Sequence, residues 1–172
     1  MWQGNNKRVK IILLLNRFEL SQIIDSNPLV QNYEVIKIYP SSIDIKILKT
    51  KLLAKLNKDG KTLFLGSNGK LSEYNFSKKS LPFIFGNPDI DDFLNLKNEI
   101  DDSKFSYIEF KNFYFFPSGR WDLELKNNIL IKLPENKIND SLDYAFDFMK
   151  NNNIEDFRVI DLRVKNQIIL ND

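Results

Sequence analysis

The sequence predicts an α+β fold: a small helix-plus-hairpin module over residues 1–54, then an antiparallel β domain over 55–172 carrying two covering helices. Three observations carry that prediction. Apolar residues recur at helical spacing in three short stretches. Between those stretches, runs such as Ile43-Asp44-Ile45-Lys46-Ile47 alternate with the period of two that belongs to a strand with one wet face. Glycine, proline and asparagine mark off the runs.

In chain order, Phe18, Leu20, Ile23 and Ile24 share one helical face over 17–26, and Asn27-Pro28 ends the pattern. Tyr33 to Tyr39 and Ile43 to Leu48 flank Pro40-Ser41-Ser42 and read as a hairpin. A helix followed by a hairpin suggests a module whose helix covers its sheet. A boundary falls near 53–58, before Asn57-Lys58-Asp59-Gly60. Thr62 to Leu65 and Lys70 to Tyr74 then form a second hairpin, with Ser67-Asn68-Gly69 as a turn requiring positive φ.

Asn87-Pro88-Asp89 supplies a cap, a first-turn proline and an acidic first-turn residue for a helix over about 88–102 containing Ile90, Phe93, Leu94 and Ile100. Phe105 to Phe110, Tyr114 to Phe116, Trp121 to Leu125 and Ile129 to Leu133 predict an antiparallel meander, turned at Asn127-Asn128. Ser141 to Lys150 predicts a helix burying Leu142, Ala145, Phe146 and Met149, ended by three asparagines suited to the left-handed region. Phe157 to Val164 places Ile160, Leu162 and Val164 on one side. Gln167 to Asn171 is a last strand at an edge.

Composition excludes much chemistry. The chain has 172 residues, 42% of them hydrophobic, with 14 Phe, enough for a packed interior. Lys plus Arg is 25 and Asp plus Glu is 23, a net charge of +2 that excludes a strongly basic nucleic-acid or membrane-surface footprint. With no Cys and no His, disulfides, thiolate nucleophiles, Cys/His zinc sites and histidine-based triads are absent. The absence of Cys selects no compartment. The apolar run Ile11 to Leu15 is far short of the roughly 20 residues a membrane helix needs. No cofactor is expected.

Each candidate site has a plainer role beside it. Asp89, Asp91, Asp92, Asp101 and Asp102 lack the spacing of a calcium loop and suit solvated helix ends. Gly66 and Gly69 lie in a hairpin turn, not between a strand and a helix, so they make no phosphate cradle. Ser80 beside Lys78 and Lys79 has nothing to desolvate a lysine. The aromatic group from Phe105 to Phe116 is a base-stacking platform or a core, and scarce basic residues favour the core. Arg120, next to Trp121, binds an anion or pairs across the sheet with an acid such as Asp161. Gln167 to Leu170 carries neither proline nor charge to blunt an edge strand, and spacing alone leaves a quiet edge and strand addition by a partner evenly matched.

Two stretches resemble the bacterial FtsQ/DivIB division proteins, especially the alphaproteobacterial branch. The first runs from Asn27-Pro28-Leu29-Val30 through Val35, Tyr39-Pro40 and Ile43 to Ile47, to Leu53-Ala54; it is similar to the end of that family's POTRA module. The second runs from Gly119-Arg120-Trp121-Asp122-Leu123 through Pro134-Glu135 to Ile160-Asp161-Leu162-Arg163 and is similar to the family's β domain.

The resemblance implies a non-enzymatic divisome scaffold on the periplasmic side of the inner membrane. It implies a transmembrane helix ahead of this chain, binding to FtsB and FtsL, and capture of an FtsB segment by the last strand. The matching positions are Val164, Lys165, Asn166, Gln167, Ile168, Ile169, Leu170 and Asn171; Arg120, Trp121, Asp161 and Arg163 are motif residues that hold shape. The chain reads as amino-terminally truncated, with the first strand and helix of the POTRA module missing and Gly119 where the family often has a second arginine. Nucleic acid is not an expected partner. Proline at position 169 is expected to block strand addition if that amide points outward. Rival readings are a carboxylate-only hydrolase and another POTRA-type envelope assembly module.

Overall fold

The structure is a computed structural model that describes residues 17–38, 42–77, 80–153, 157–164 and 167–171. It is α+β, as the sequence predicts. By compactness the chain divides into Met1–Leu53 with Leu63–Phe76, and Ala54–Thr62 with Ser77–Asp172. The units are therefore not two contiguous stretches meeting at 54/55.

In the first unit, α1 (Arg17–Ser26) precedes β1 (Val30–Ile38) and β2 (Ser42–Lys49), an antiparallel pair. Its expected helix and hairpin are both present. The connecting Tyr39-Pro40-Ser41 lies outside the described residues, as do Met1 to Lys10 and the run Ile11 to Leu15. Residues 63–76 join this unit because the Ser67–Lys70 turn is bonded to it: Ser67 N–H donates to the Lys51 carbonyl at 2.8 Å.

The larger sheet has the strand order β11-β10-β9-β8-β7-β6-β3-β4-β5. Its strands are β3 (Leu52–Lys58), β4 (Lys61–Gly66), β5 (Leu71–Ser72), β6 (Phe83–Phe85), β7 (Phe110–Phe115), β8 (Trp121–Leu125), β9 (Leu130–Lys132), β10 (Val159–Asp161) and β11 (Ile169–Asn171). Two helices, α2 (Ile90–Asp101) and α3 (Ile138–Asn151), belong to the second unit.

The sheet is mixed, which corrects the antiparallel expectation. β7-β8-β9 form the expected meander and β10-β11 a hairpin, but β6 runs parallel to β7 and β9 runs parallel to β10. The reason is topological: α2 lies between β6 and β7 in the chain, α3 between β9 and β10, and a helical crossover returns the chain in the same direction. Phe105 to Glu109 is not a strand, because Tyr107–Glu109 closes a short 3-10 turn whose Ser106 N–H bonds the Glu109 carboxylate at 2.6 Å.

The helix ends differ in detail from the expectation. The cap of α2 is Asp89, not Asn87, and Asp89 N–H donates to the Asp92 carboxylate at 3.1 Å. At the end of α3, Asn151 and Asn152 use their side-chain amides on the Asp147 and Phe148 carbonyls at 2.9 and 2.8 Å, with Asn152 extended and not left-handed. Asn128 does adopt positive φ, at 66°, in the predicted turn.

Register puts Ile84, Phe113, Leu123, Ile131, Ile160 and Leu170 in one row across six strands. The first five are buried, with α2 seated against them through an edge-on Phe93–Phe113 contact of 5.7 Å. Side chains of adjacent strand residues alternate between faces. The opposite face therefore carries the row Phe85, Tyr114, Asp122, Lys132, Asp161 and Ile169.

Candidate functional site

β11 is the last strand on one side of the nine-stranded sheet, and among the described residues nothing pairs beyond it. The direction of its backbone groups follows from the strand it pairs with. Leu162 N–H donates to Lys132 C=O at 2.9 Å, so 162 faces β9, whereas Arg158, just ahead of the strand, is split: its C=O accepts from Leu130 N–H at 2.8 Å and its N–H donates to Asn171 C=O at 2.9 Å. In extended backbone this direction reverses at each residue. Val159 and Asp161 therefore face β11, where their direct partners are Asn171 and Ile169. Leu170, opposite Ile160, turns its N–H and C=O away from the sheet.

This corrects the expectation for position 169. The Ile169 amide belongs to the molecule's own ladder, and the outward amide is that of Leu170. Ile169 and Leu170 are each 41% exposed, a half-open apolar pair at the rim. Gln167 is exposed and its N–H donates to Val164 C=O at 3.2 Å. Lys165 and Asn166 lie outside the described residues. Val164 was expected in the core with Ile160 and Leu162, but only those two are buried. β10 ends at Asp161 and the backbone bends at Val164, so alternation does not reach that far.

The motif residues sit inboard of this edge. Trp121 is buried on the helix-covered face against Phe93 and Phe115, with ring centroids 6.4 and 4.8 Å away. Arg120 pairs with Asp122, Nε to Oδ1 at 3.3 Å, and its guanidinium lies 4.4 Å from the Phe116 ring centre. It does not pair with Asp161, because β9 intervenes and puts β10 two strand spacings, about 9.6 Å, from β8.

Asp161 is held by Arg163 instead. Nε reaches Oδ1 at 2.8 Å and Oδ2 at 3.0 Å, and the Arg163 backbone N–H reaches Oδ1 at 3.1 Å. Those donors hold the Asp161 carboxyl below its ordinary range, against the opposing effect of burial. Burial pushes the Asp122 carboxyl up, and Arg120 partly offsets it.

Sequence reasoning missed the neighbouring cluster on Glu124. Its carboxylate accepts from Lys111 Nζ at 2.8 Å, Asn112 Nδ2 at 2.7 Å and Tyr114 Oη at 2.8 Å. Burial pulls its pKa upward, but these donors outweigh it and hold the carboxyl below the usual range. The signal was present in the alternation of Asp122 and Glu124 with Trp121, Leu123 and Leu125, which commits both acids to the face opposite Trp121, Leu123 and Leu125.

Beside the edge, a shallow groove of about 680 Å³ opens between the start of α3 and the β10–β11 connection. Lys137, Tyr144, Leu162, Val164 and Gln167 line it. Among the described residues no three acidic side chains gather as a metal site, and no helix is long and apolar enough to cross a membrane.

The family model described as "Cell division protein FtsQ/DivIB, C-terminal" matches residues 50–163, about two thirds of the chain. The chain belongs to the FtsQ/DivIB family. The match ends at Arg163, so β11 lies beyond it. "Cell division protein FtsQ" of Bradyrhizobium diazoefficiens is 23% identical over 168 residues, covering 92% of this chain and 48% of that protein. The Rickettsia typhi protein of the same name is 26% identical over 169 residues, covering 94% of this chain and 62% of its own length. That of Rickettsia conorii is 46% identical over 50 residues, 28% of this chain and 19% of its own length. The chain thus spans about half to three fifths of the relatives that match it along most of its length. Its family is one of cell division proteins, and the alphaproteobacterial likeness seen in the motifs is present in these relatives.

Proposed function

We propose that this chain is the envelope portion of a membrane-anchored, non-enzymatic division scaffold. It recruits an FtsB-type partner, together with FtsL, by accepting a partner segment as an added strand on β11. Residues 1–54 act as a partial POTRA-like module, and residues 55–172 act as the recruiting β domain on the periplasmic side of the inner membrane. The observation that supports this reading is the Leu170 N–H and C=O pair, turned outward on a strand that has neither proline nor charge in Ile169–Asn171. Strand addition draws its affinity from such backbone pairs and its selectivity from alternate side chains. Partner binding accordingly involves Val164 to Asn171.

The experiment is binding of an FtsB periplasmic segment to the Leu170→Pro, Leu170→Ala and Ile169→Pro variants. Leu170→Pro deletes the outward amide and is expected to weaken binding by about tenfold or more while the thermal midpoint holds. Leu170→Ala keeps the amide and retains most of the affinity. Ile169→Pro breaks the inner ladder and shows up first as lost stability. Parental affinity in a folded Leu170→Pro protein overturns the proposal.

A further inference from the structure

In the first unit, residues 28–31, 50–51 and 66–70 converge on one side-chain amide. Asn68 Nδ2 donates to the carbonyls of Pro28 at 3.0 Å and Val30 at 2.9 Å, while its Oδ1 accepts from Lys70 N–H at 3.1 Å. Thr50, only 3% exposed, and Ser67 both reach Gln31 Oε1, at 3.2 and 2.8 Å, with their hydroxyls 3.2 Å apart. Lys70 Nζ adds a bond to the Asp25 carbonyl. The clasp thus joins the turn between β4 and β5 to the start of β1 and the end of β2.

The residue after Asn68 is Gly69, with φ of 71° and its N–H bound to the Gly66 carbonyl at 3.0 Å. In an Asn-Gly step no Cβ on the following residue hinders the backbone nitrogen from attacking the side-chain amide. The reaction is self-contained. Gly69 N loses its proton and bonds to Asn68 Cγ, the Cγ–Nδ2 bond breaks, and that nitrogen leaves as ammonia. Water then opens the cyclic imide at either carbonyl, leaving aspartate or isoaspartate.

We propose that Asn68 is a deamidation site gated by the fold: the clasp keeps it closed in the native unit, and its product cannot rebuild the clasp. Both ends of the reacting pair are engaged in the folded state, the amide by three partners and the Gly69 N–H by one. Reaction therefore waits for local opening, and its rate falls with the open fraction. The product faces the Pro28 and Val30 carbonyls with a carboxylate that has no proton to donate. Two acceptors then lose their donor while gaining a negative charge as neighbour. Each such event is a one-way exit from the native first unit.

The test is incubation of the full chain at mildly alkaline pH, in native buffer and in urea, with deamidation at Asn68 read by peptide mass mapping. The Asn127-Asn128 turn serves as an internal reference. Deamidation of Asn68 is expected to be about tenfold or more faster in urea than in native buffer, by the suppression of opening in the fold. The Asn68→Asp variant is expected to lower the thermal midpoint, whereas Asn68→Gln, which keeps an amide donor, lowers it less. Equal rates in the two buffers overturn the gating, and an Asn68→Asp protein that melts with the parent overturns the clasp. If Asn68→Asp does not fold at all, the rate comparison on the parent chain still decides the gating.

Discussion

Asp161 shows what a single carboxylate does at the inner margin of the edge hairpin. It is 4% exposed, while the Arg163 side chain, two residues on, is 41% exposed and supplies its donors. Because its pKa is depressed in the folded state, its contribution to stability is complete above the unfolded carboxyl value near 4 and is lost as pH falls through the lower folded value. The Asp161→Asn variant is therefore expected to lose about 1 kcal/mol at neutral pH, a modest figure because water screens Arg163. Its denaturation midpoint should also depend less on pH below about 4 than the parent's. An identical acid dependence in parent and variant would rule this role out. Asp122 works in the opposite sense: burial raises its folded pKa, so ionisation of that group opposes folding as pH rises through it.

At this scale the sequence was legible in residue type and less so in partner. Arg120, Trp121, Asp161 and Arg163 lie in or beside β8 and β10, but the pairing of Arg120 depended on strand order. A sequence shows that Arg120 and Asp122 share a face; it does not show that β9 separates them from Asp161. Position 169 against 170 is a similar case. Strand period identifies the two alternating sets, and only the register with β10 tells which set is bonded inward.

Among the elements, long periodic segments were readable and the shortest strands were not. α1, α2, α3 and the β7-β8-β9 meander follow from apolar spacing and turn residues. β6, only Phe83–Phe85, has no room to display alternation, and β3 lies in what reads as a boundary. Their omission hides the parallel β3–β6 and β6–β7 pairings, while the β9–β10 pairing escapes because α3, with both flanking strands legible, reads only as a covering helix and not as a crossover.

β6 ends against a backbone constraint that can be measured. Gly86 has φ of 90°, and a Cβ there would come within 2.4 Å of the Phe115 carbonyl oxygen. Gly86→Ala is therefore expected to cost about 2–4 kcal/mol by denaturant unfolding, combining backbone strain with displacement of β7. Gly119→Ala is the control. Its φ is 82° but nothing lies within 4 Å, so strain alone, about 1 kcal/mol, is expected. Equal losses in the two variants would remove the close approach from the account.

Across the molecule, the sheet is asymmetric in what its faces and margin do. One face is sealed by α2 and α3; the other carries carboxylates already engaged by Lys111, Arg120 and Arg163. The β11 margin, by contrast, has backbone hydrogen-bonding capacity directed outward. Recruitment by strand addition, as proposed, needs such capacity.

Hydrogen exchange at single-residue resolution on β11 tests the account most directly, with and without an FtsB periplasmic segment. Without the segment, the Ile169 and Asn171 amides, bonded to β10, should exchange slowly and the Leu170 amide fast. Saturating segment should slow Leu170 strongly and leave Ile169 nearly unchanged. A Leu170 amide that is already protected in the free chain, or one that exchanges at the same rate when the segment is bound, would contradict strand addition at this edge.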